Sequence, residues 1–351
     1  MTFQDEFRSV AFDLARFCAF SAHAMIFGLV AIALLVLRPS FVENAPGPWS
    51  AGRQRVAQRL EGIVIASLLA SFIATVVAFL LQATLISSIE RVPVGSNSFS
   101  AVLQTSFGEW YAARIPILIA LLVMLLGRVR VLALAGPEDK DKPAPWWWAT
   151  WGGLGLILLA TTTLSGHAST TSPRLLAIAN DIVHLAAGSI WFAGVVVLAV
   201  ILPDAWLGKP SEERARLLGP AVLRFSHVAL IAIGIVAVTG TINSLLEVAH
   251  PGDLLHSDYG RTLLIKIGLF LVILLMGAVN HFFLRVRLLS SSKDEPARAQ
   301  RLFRRTIAVE LLVAIGIMVA SGILTGQART RESPGPVQKQ TSTAVSETST
   351  R

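Results

Sequence analysis

Eight stretches of this chain, residues 17–37, 63–85, 115–135, 148–164, 178–202, 228–249, 262–284 and 307–325, are apolar runs of close to membrane-spanning length. A hydrocarbon layer is crossed by roughly 20 mostly apolar residues at about 1.5 Å each, because every backbone N–H and C=O must find its partner inside the segment. Over 351 residues, 54% are hydrophobic and 15% charged, which is more apolar surface than a soluble core of this size can hide. The expected fold is an all-α polytopic transmembrane bundle of about eight spans. The fourth run, 148–164, is the shortest.

The net charge of +8 is distributed as a membrane protein distributes it, which argues against a nucleic-acid partner. Arg38, Arg53, Arg55 and Arg59 lie between runs one and two, Arg128, Arg130, Lys140 and Lys142 between three and four, and Lys209, Arg214, Arg216 and Arg224 between five and six. Arg285, Arg287, Lys293, Arg298, Arg301, Arg304 and Arg305 lie between seven and eight. The alternate connections hold Arg91 and Arg114, then Arg174, then Arg261. Under the positive-inside rule this pattern places both termini on the periplasmic side, the basic residues of the C-terminal tail being a mild exception. Asp5 and Glu6 stand where a signal peptide carries basic residues, so the first run is read as a helix rather than a cleaved leader. Cys18 is the sole cysteine, which excludes an internal disulfide and a cysteine-based zinc site.

Three regions follow: 1–164, the first four spans; 165–326, the last four; and 327–351, a Ser/Thr-rich tail expected to be disordered. An amphipathic stretch, 211–224, is expected on the cytoplasmic side. Ala232-Ile-Gly-Ile-Val-Ala-Val-Thr-Gly240 and Ala314-Ile-Gly-Ile-Met-Val-Ala-Ser-Gly322 look alike, as small and branched residues in membrane helices often do.

Ionisable groups inside spans cost on the order of 2.5 kcal/mol or more on insertion scales, so each needs a partner or a function. Asp181, His184, Gly188 and Trp191 recur at offsets of three and four and share one face of span five. An aspartate three residues before a histidine can fix an imidazole tautomer, share a metal or pin the helix end. His167 at the mouth of span four and His23 early in span one lie toward the same side, so His23, His167, Asp181 and His184 form a candidate metal site. Asn243, Glu247 and His250 make a polar stripe on span six. Lys266 reads as a lysine snorkelling to the outer surface. Near the inner face, His227, His281 and Glu310 form a second set suited to an ion or proton route or to interfacial anchoring.

Taken together, Ser-Gly-His167, the Asp181-x-x-His184 face leading to Trp191, Thr239-Gly240, Tyr259-Gly-Arg-x-Leu-Leu-x-Lys266, Asn280-His281 and Glu310-Leu-Leu resemble the CopD family of copper-resistance membrane proteins. The resemblance is clearest from 165 to 324. It implies a bacterial inner-membrane, non-enzymatic protein of copper homeostasis, moving copper alongside a small periplasmic carrier of the CopC type. Imidazole and carboxylate suit Cu(II), and imidazoles alone can hold Cu(I). Two other readings stand beside it: a b-type haem electron carrier using His184 with His167 and His227 with His281, and a copper chaperone that does not transport.

Overall fold

The computed structural model describes residues 3–42, 50–90, 93–126, 144–201, 211–279 and 295–327. Among them there is no strand. The long helices are α1 (Phe3–Ile32), α2 (Ser50–Glu90), α3 (Ser106–Leu126), α4 (Pro145–Leu164), α5 (Arg174–Val196), α6 (Ser211–Glu247), α7 (Asp258–Val279) and α8 (Glu295–Leu324). Short helices, Ser96–Leu103 and Asp253–His256, cap two of the connections. Single π-helical turns, Ala33–Leu37 and Val197–Ile201, extend α1 and α5. The chain is an all-α polytopic bundle.

Seven of the described helices are long and apolar enough to cross a membrane, and α4 is the remaining long one. Its sequence explains the difference. Trp146, Trp147, Trp148 and Trp151 at one end and Thr161, Thr162 and Thr163 at the other dilute its aliphatic centre. One side of it is covered by protein, since α4 packs against α1, α3 and α5 and buries Trp147, Trp148, Trp151, Thr161 and Thr163. Trp147 stacks on Trp151 at 5.2 Å and meets Trp148 edge-on at 5.0 Å, while the Trp151 indole donates to the Ile26 carbonyl at 3.3 Å. These contacts use the polar edge of the ring as well as its area.

The centre of the bundle is α1, which packs against α2, α4, α5 and α8. Its apolar window is 67% buried, against 11% for α7 at the rim. Gly28 permits this crowding: a Cβ there would collide with the Ser189 carbonyl and come within 2.7 Å of the Ala193 methyl on α5. Small residues at such crossings let helices approach where no hydrophobic force drives them together.

The third span begins earlier than hydropathy alone suggests. Arg114 belongs to α3 rather than to a connection, and it is 1% exposed. Its guanidinium bonds to Thr161 and Ser165 and lies 3.8 Å from the Tyr111 ring centre, so the helix can carry the charge inside. The stretch 211–224 is continuous with α6 and passes through Pro220.

Candidate functional site: a polar cavity between two helix pairs

Close packing joins α5 to α6 and α7 to α8. The space between these pairs is a cavity of about 480 Å³, bordered also by the end of α4 and by Phe20 of α1. Its wall is mostly aliphatic toward Leu274 and Ile233. It turns polar toward the end of the bundle that carries the connections 165–173 and 248–257. The charged residues on this wall are Asp181, Glu247 and Lys266, two carboxylates against one ammonium.

The polar wall is a connected hydrogen-bond chain. The Thr163 hydroxyl donates to Asp181 Oδ2 at 2.8 Å, and Asn243 Nδ2 donates to Asp181 Oδ1 at 3.1 Å. Asn180 Nδ2 in turn donates to Asn243 Oδ1 at 2.7 Å and to the Thr239 carbonyl at 2.8 Å. Each carboxylate oxygen of Asp181 is thereby held from a different helix. Tyr259 donates its phenolic proton to Glu247, and the Lys266 ammonium interacts electrostatically with both Asp181 and Glu247. Lys266 points into the cavity and does not snorkel. Opposite charges gathered inside a low-dielectric bundle are the arrangement such groups require.

His184 has a defined tautomer. Thr239 has one hydroxyl proton, and it goes one turn back to the Ile235 carbonyl at 2.6 Å. Toward the imidazole, 3.0 Å away, the same oxygen can then only accept. Nδ1 therefore carries the ring proton in this arrangement. Nε2 keeps the lone pair that a metal ligand needs. The residue that fixes the tautomer is Thr239 on α6, whereas spacing along α5 suggested Asp181. Room for the ring comes from Gly240, where a Cβ would sit 3.2 Å from His184 Cε1. Gly188, on the same face as His184, meets only Val236, at 4.0 Å from its Cβ position.

Of the other candidate residues, His23 is fully buried and does not border the cavity. Its Nε2 pairs with the Ser71 hydroxyl at 2.8 Å and its Nδ1 with the Thr162 hydroxyl at 3.0 Å, so both ring nitrogens are engaged. Thr162 does line the cavity, and His23 stands directly behind it. His167 opens a single 3-10 turn, flanked by the cavity-lining Gly166 and Ala168; its side chain is outside the described residues. At the far end, His227 is exposed on α6, Glu310 is 6% exposed on α8, and His281 lies outside the described residues. Among the described residues, no three His, Cys, Asp or Glu side chains cluster closely enough to hold a metal ion. Spacing alone gave no sign that Tyr259 and Met318 share the cavity wall with Asp181 and His184, or that Thr239 meets the His184 ring. The offset of seven between Tyr259 and Lys266 was the one usable signal, since it puts both on one helical face.

Comparison with known proteins accounts for most of the chain. Residues 7–174 match the profile described as copper resistance protein D-like, N-terminal domain, and residues 219–324 match copper resistance protein D. The chain belongs to the copper resistance protein D family. Copper transport protein CutJ of Bacillus subtilis (strain 168) is 31% identical over 170 residues, 48% of this chain and 28% of that protein. The chain thus matches little more than a quarter of that relative's length. Inner membrane protein YebZ of Escherichia coli (strain K12) is 26% identical over 232 residues, 65% of this chain and 71% of that protein. No solved structure matches. With seven membrane-competent helices among the described residues, this CopD-family chain is a multi-pass inner-membrane protein. Glu247, Tyr259, Lys266 and Met318 fall within the second matched range, while Asp181 and His184 fall between the two.

Proposed function

We propose that this protein moves copper across the inner membrane without enzymatic chemistry, receiving the ion as cargo in the cavity at Asp181 and His184. The observation that carries the reading is the His184 ring, locked by Thr239 so that Nε2 is free, on the wall of a cavity whose carboxylates outnumber its ammonium. Copper accepts imidazole and carboxylate as Cu(II), and imidazole and thioether as Cu(I); Met318 supplies the thioether. With the termini outward, as the Lys and Arg distribution indicates, the polar end of the cavity faces the periplasm. There a CopC-type carrier delivers copper, and His167, between two wall residues, adds a donor. His23 acts through Thr162. His227, His281 and Glu310 serve the release side.

The test is copper content and vesicle uptake of the purified chain beside His184→Ala. The variant is expected to insert normally, bind less copper and transport less. Unchanged copper content in His184→Ala and Asp181→Asn would remove the site. Copper bound without uptake by the wild type would make the protein a chaperone. A haem absorbance band would favour electron transfer.

A further inference from the structure

A second, smaller pocket of about 50 Å³ adjoins the first and shares Phe20, Thr162, Gly166 and Thr325 with it. Its charged lining residues are two arginines, Arg16 and Arg114, with Tyr111 between them. Arg114 is 1% exposed. Its Nε bonds to the Thr161 hydroxyl at 3.0 Å, and its Nη2 to the Ser165 hydroxyl at 3.0 Å and the Thr161 carbonyl at 3.4 Å. Nη1 is buried and has no hydrogen-bond partner among the described residues. No carboxylate among the described residues pairs with this guanidinium.

Arg16 is only loosely neutralised. It meets Asp13 at 3.5 Å, with both side chains partly exposed, and lies over the Phe12 ring at 4.3 Å. A buried cation with an unpartnered Nη1, lining the same pocket as a second guanidinium, is an unbalanced arrangement unless something negative completes it. The space admits a group of a few heavy atoms, since about 10–15 Å³ of such volume holds one water. A guanidinium edge matches a carboxylate in shape as well as charge.

We propose that the pocket of Arg16, Tyr111 and Arg114 is a binding site for a small carboxylate, distinct from the copper cavity and on the other side of Thr162. The carboxylate can be a free small acid or the tip of a protein side chain. Two probes separate these sources: formate, and N-acetylglutamate α-amide, which carries a side-chain carboxylate on a capped residue.

The experiment uses the full chain in detergent, free of copper, titrated at constant ionic strength with gluconate as the bulky control anion. Formate is expected to raise the melting midpoint saturably, by roughly 3 °C near a hundredfold excess over its dissociation constant. It should also broaden the ¹³C-formate resonance saturably. Arg16→Gln should abolish both effects, and Arg114→Lys, which keeps the charge but loses the planar edge, should weaken binding at least tenfold. If Arg114→Lys fails to fold, Arg16→Gln carries the test. Binding of both probes identifies a site for a protein side chain, and binding of formate alone a site for a free acid. A wild-type protein that responds to formate no more than to gluconate, or an Arg16→Gln variant that titrates like wild type, overturns the proposal.

Discussion

Thr239→Val isolates the step by which the fold prepares His184 for a metal. The substitution keeps the shape of the side chain and the carbonyl that receives Asn180, and it removes one oxygen. That oxygen accepts the Nδ1 proton at 3.0 Å and is itself oriented by its 2.6 Å bond to Ile235. Losing an outer partner of a ligating histidine costs about 10- to 100-fold in metal affinity, or about 1.4–2.7 kcal/mol. Leaving a buried N–H less well satisfied costs stability as well, about 1–3 kcal/mol, so folding is measured in parallel. The assay is a copper titration against a competing chelator in detergent, on wild type, Thr239→Val, Thr239→Ser, His184→Ala and the Thr239→Val/His184→Ala double variant. Serine keeps the hydroxyl and should retain near wild-type affinity. In the His184→Ala background the valine should cost nothing further, because the oxygen acts through the ring. Equal losses in both backgrounds would refute the argument, as would wild-type affinity in Thr239→Val.

Asp181→Asn should weaken copper binding on the order of tenfold, as expected for a carboxylate held on both oxygens near the ligand, read in the same titration. Lys266→Met removes the cavity's ammonium, whose charge opposes a bound cation. Copper affinity should therefore rise tenfold or more, and a fall would show that Lys266 organises the carboxylates rather than competing with the ion. Glu310→Gln should slow vesicle uptake while copper binding at the cavity persists; uptake at the wild-type rate discards the release route. Cysteines placed near Arg55, Lys140, Arg214 and Arg301 should be reachable only from the cytoplasmic side, as labelling of intact and permeabilised cells reports.

Hydropathy reads out the helices because each span must satisfy its backbone locally, and that requirement is written in consecutive residues. It is weakest at α4, which buries Trp147, Trp148, Trp151, Thr161 and Thr163 against its neighbours. The face shared by Asp181 and His184 was legible for the same local reason, since a helix puts offsets of three and four together. What these residues touch was not. Asp181 meets Asn243, 62 positions away, and His184 meets Thr239, 55 away. The Arg114 contacts to Thr161 and Ser165 span 47 and 51 positions. A basic residue at the edge of an apolar run therefore looked like part of a connection. Lys266 had an ordinary explanation at the membrane surface, and only the placement of α7 opposite α5 and α6 turns it toward the carboxylates.

The central place of α1 has a consequence for how the molecule is made. Helix α1 leaves the ribosome before α2, α4, α5 and α8, which pack around it, and it carries an imidazole whose partners come later in the chain. Ser71 follows His23 by 48 residues and Thr162 by 139. At about 5–20 residues per second, Thr162 emerges roughly 7 to 28 s after His23. The ring can gain its Ser71 contact once α2 is made, and its second contact only when α4 follows.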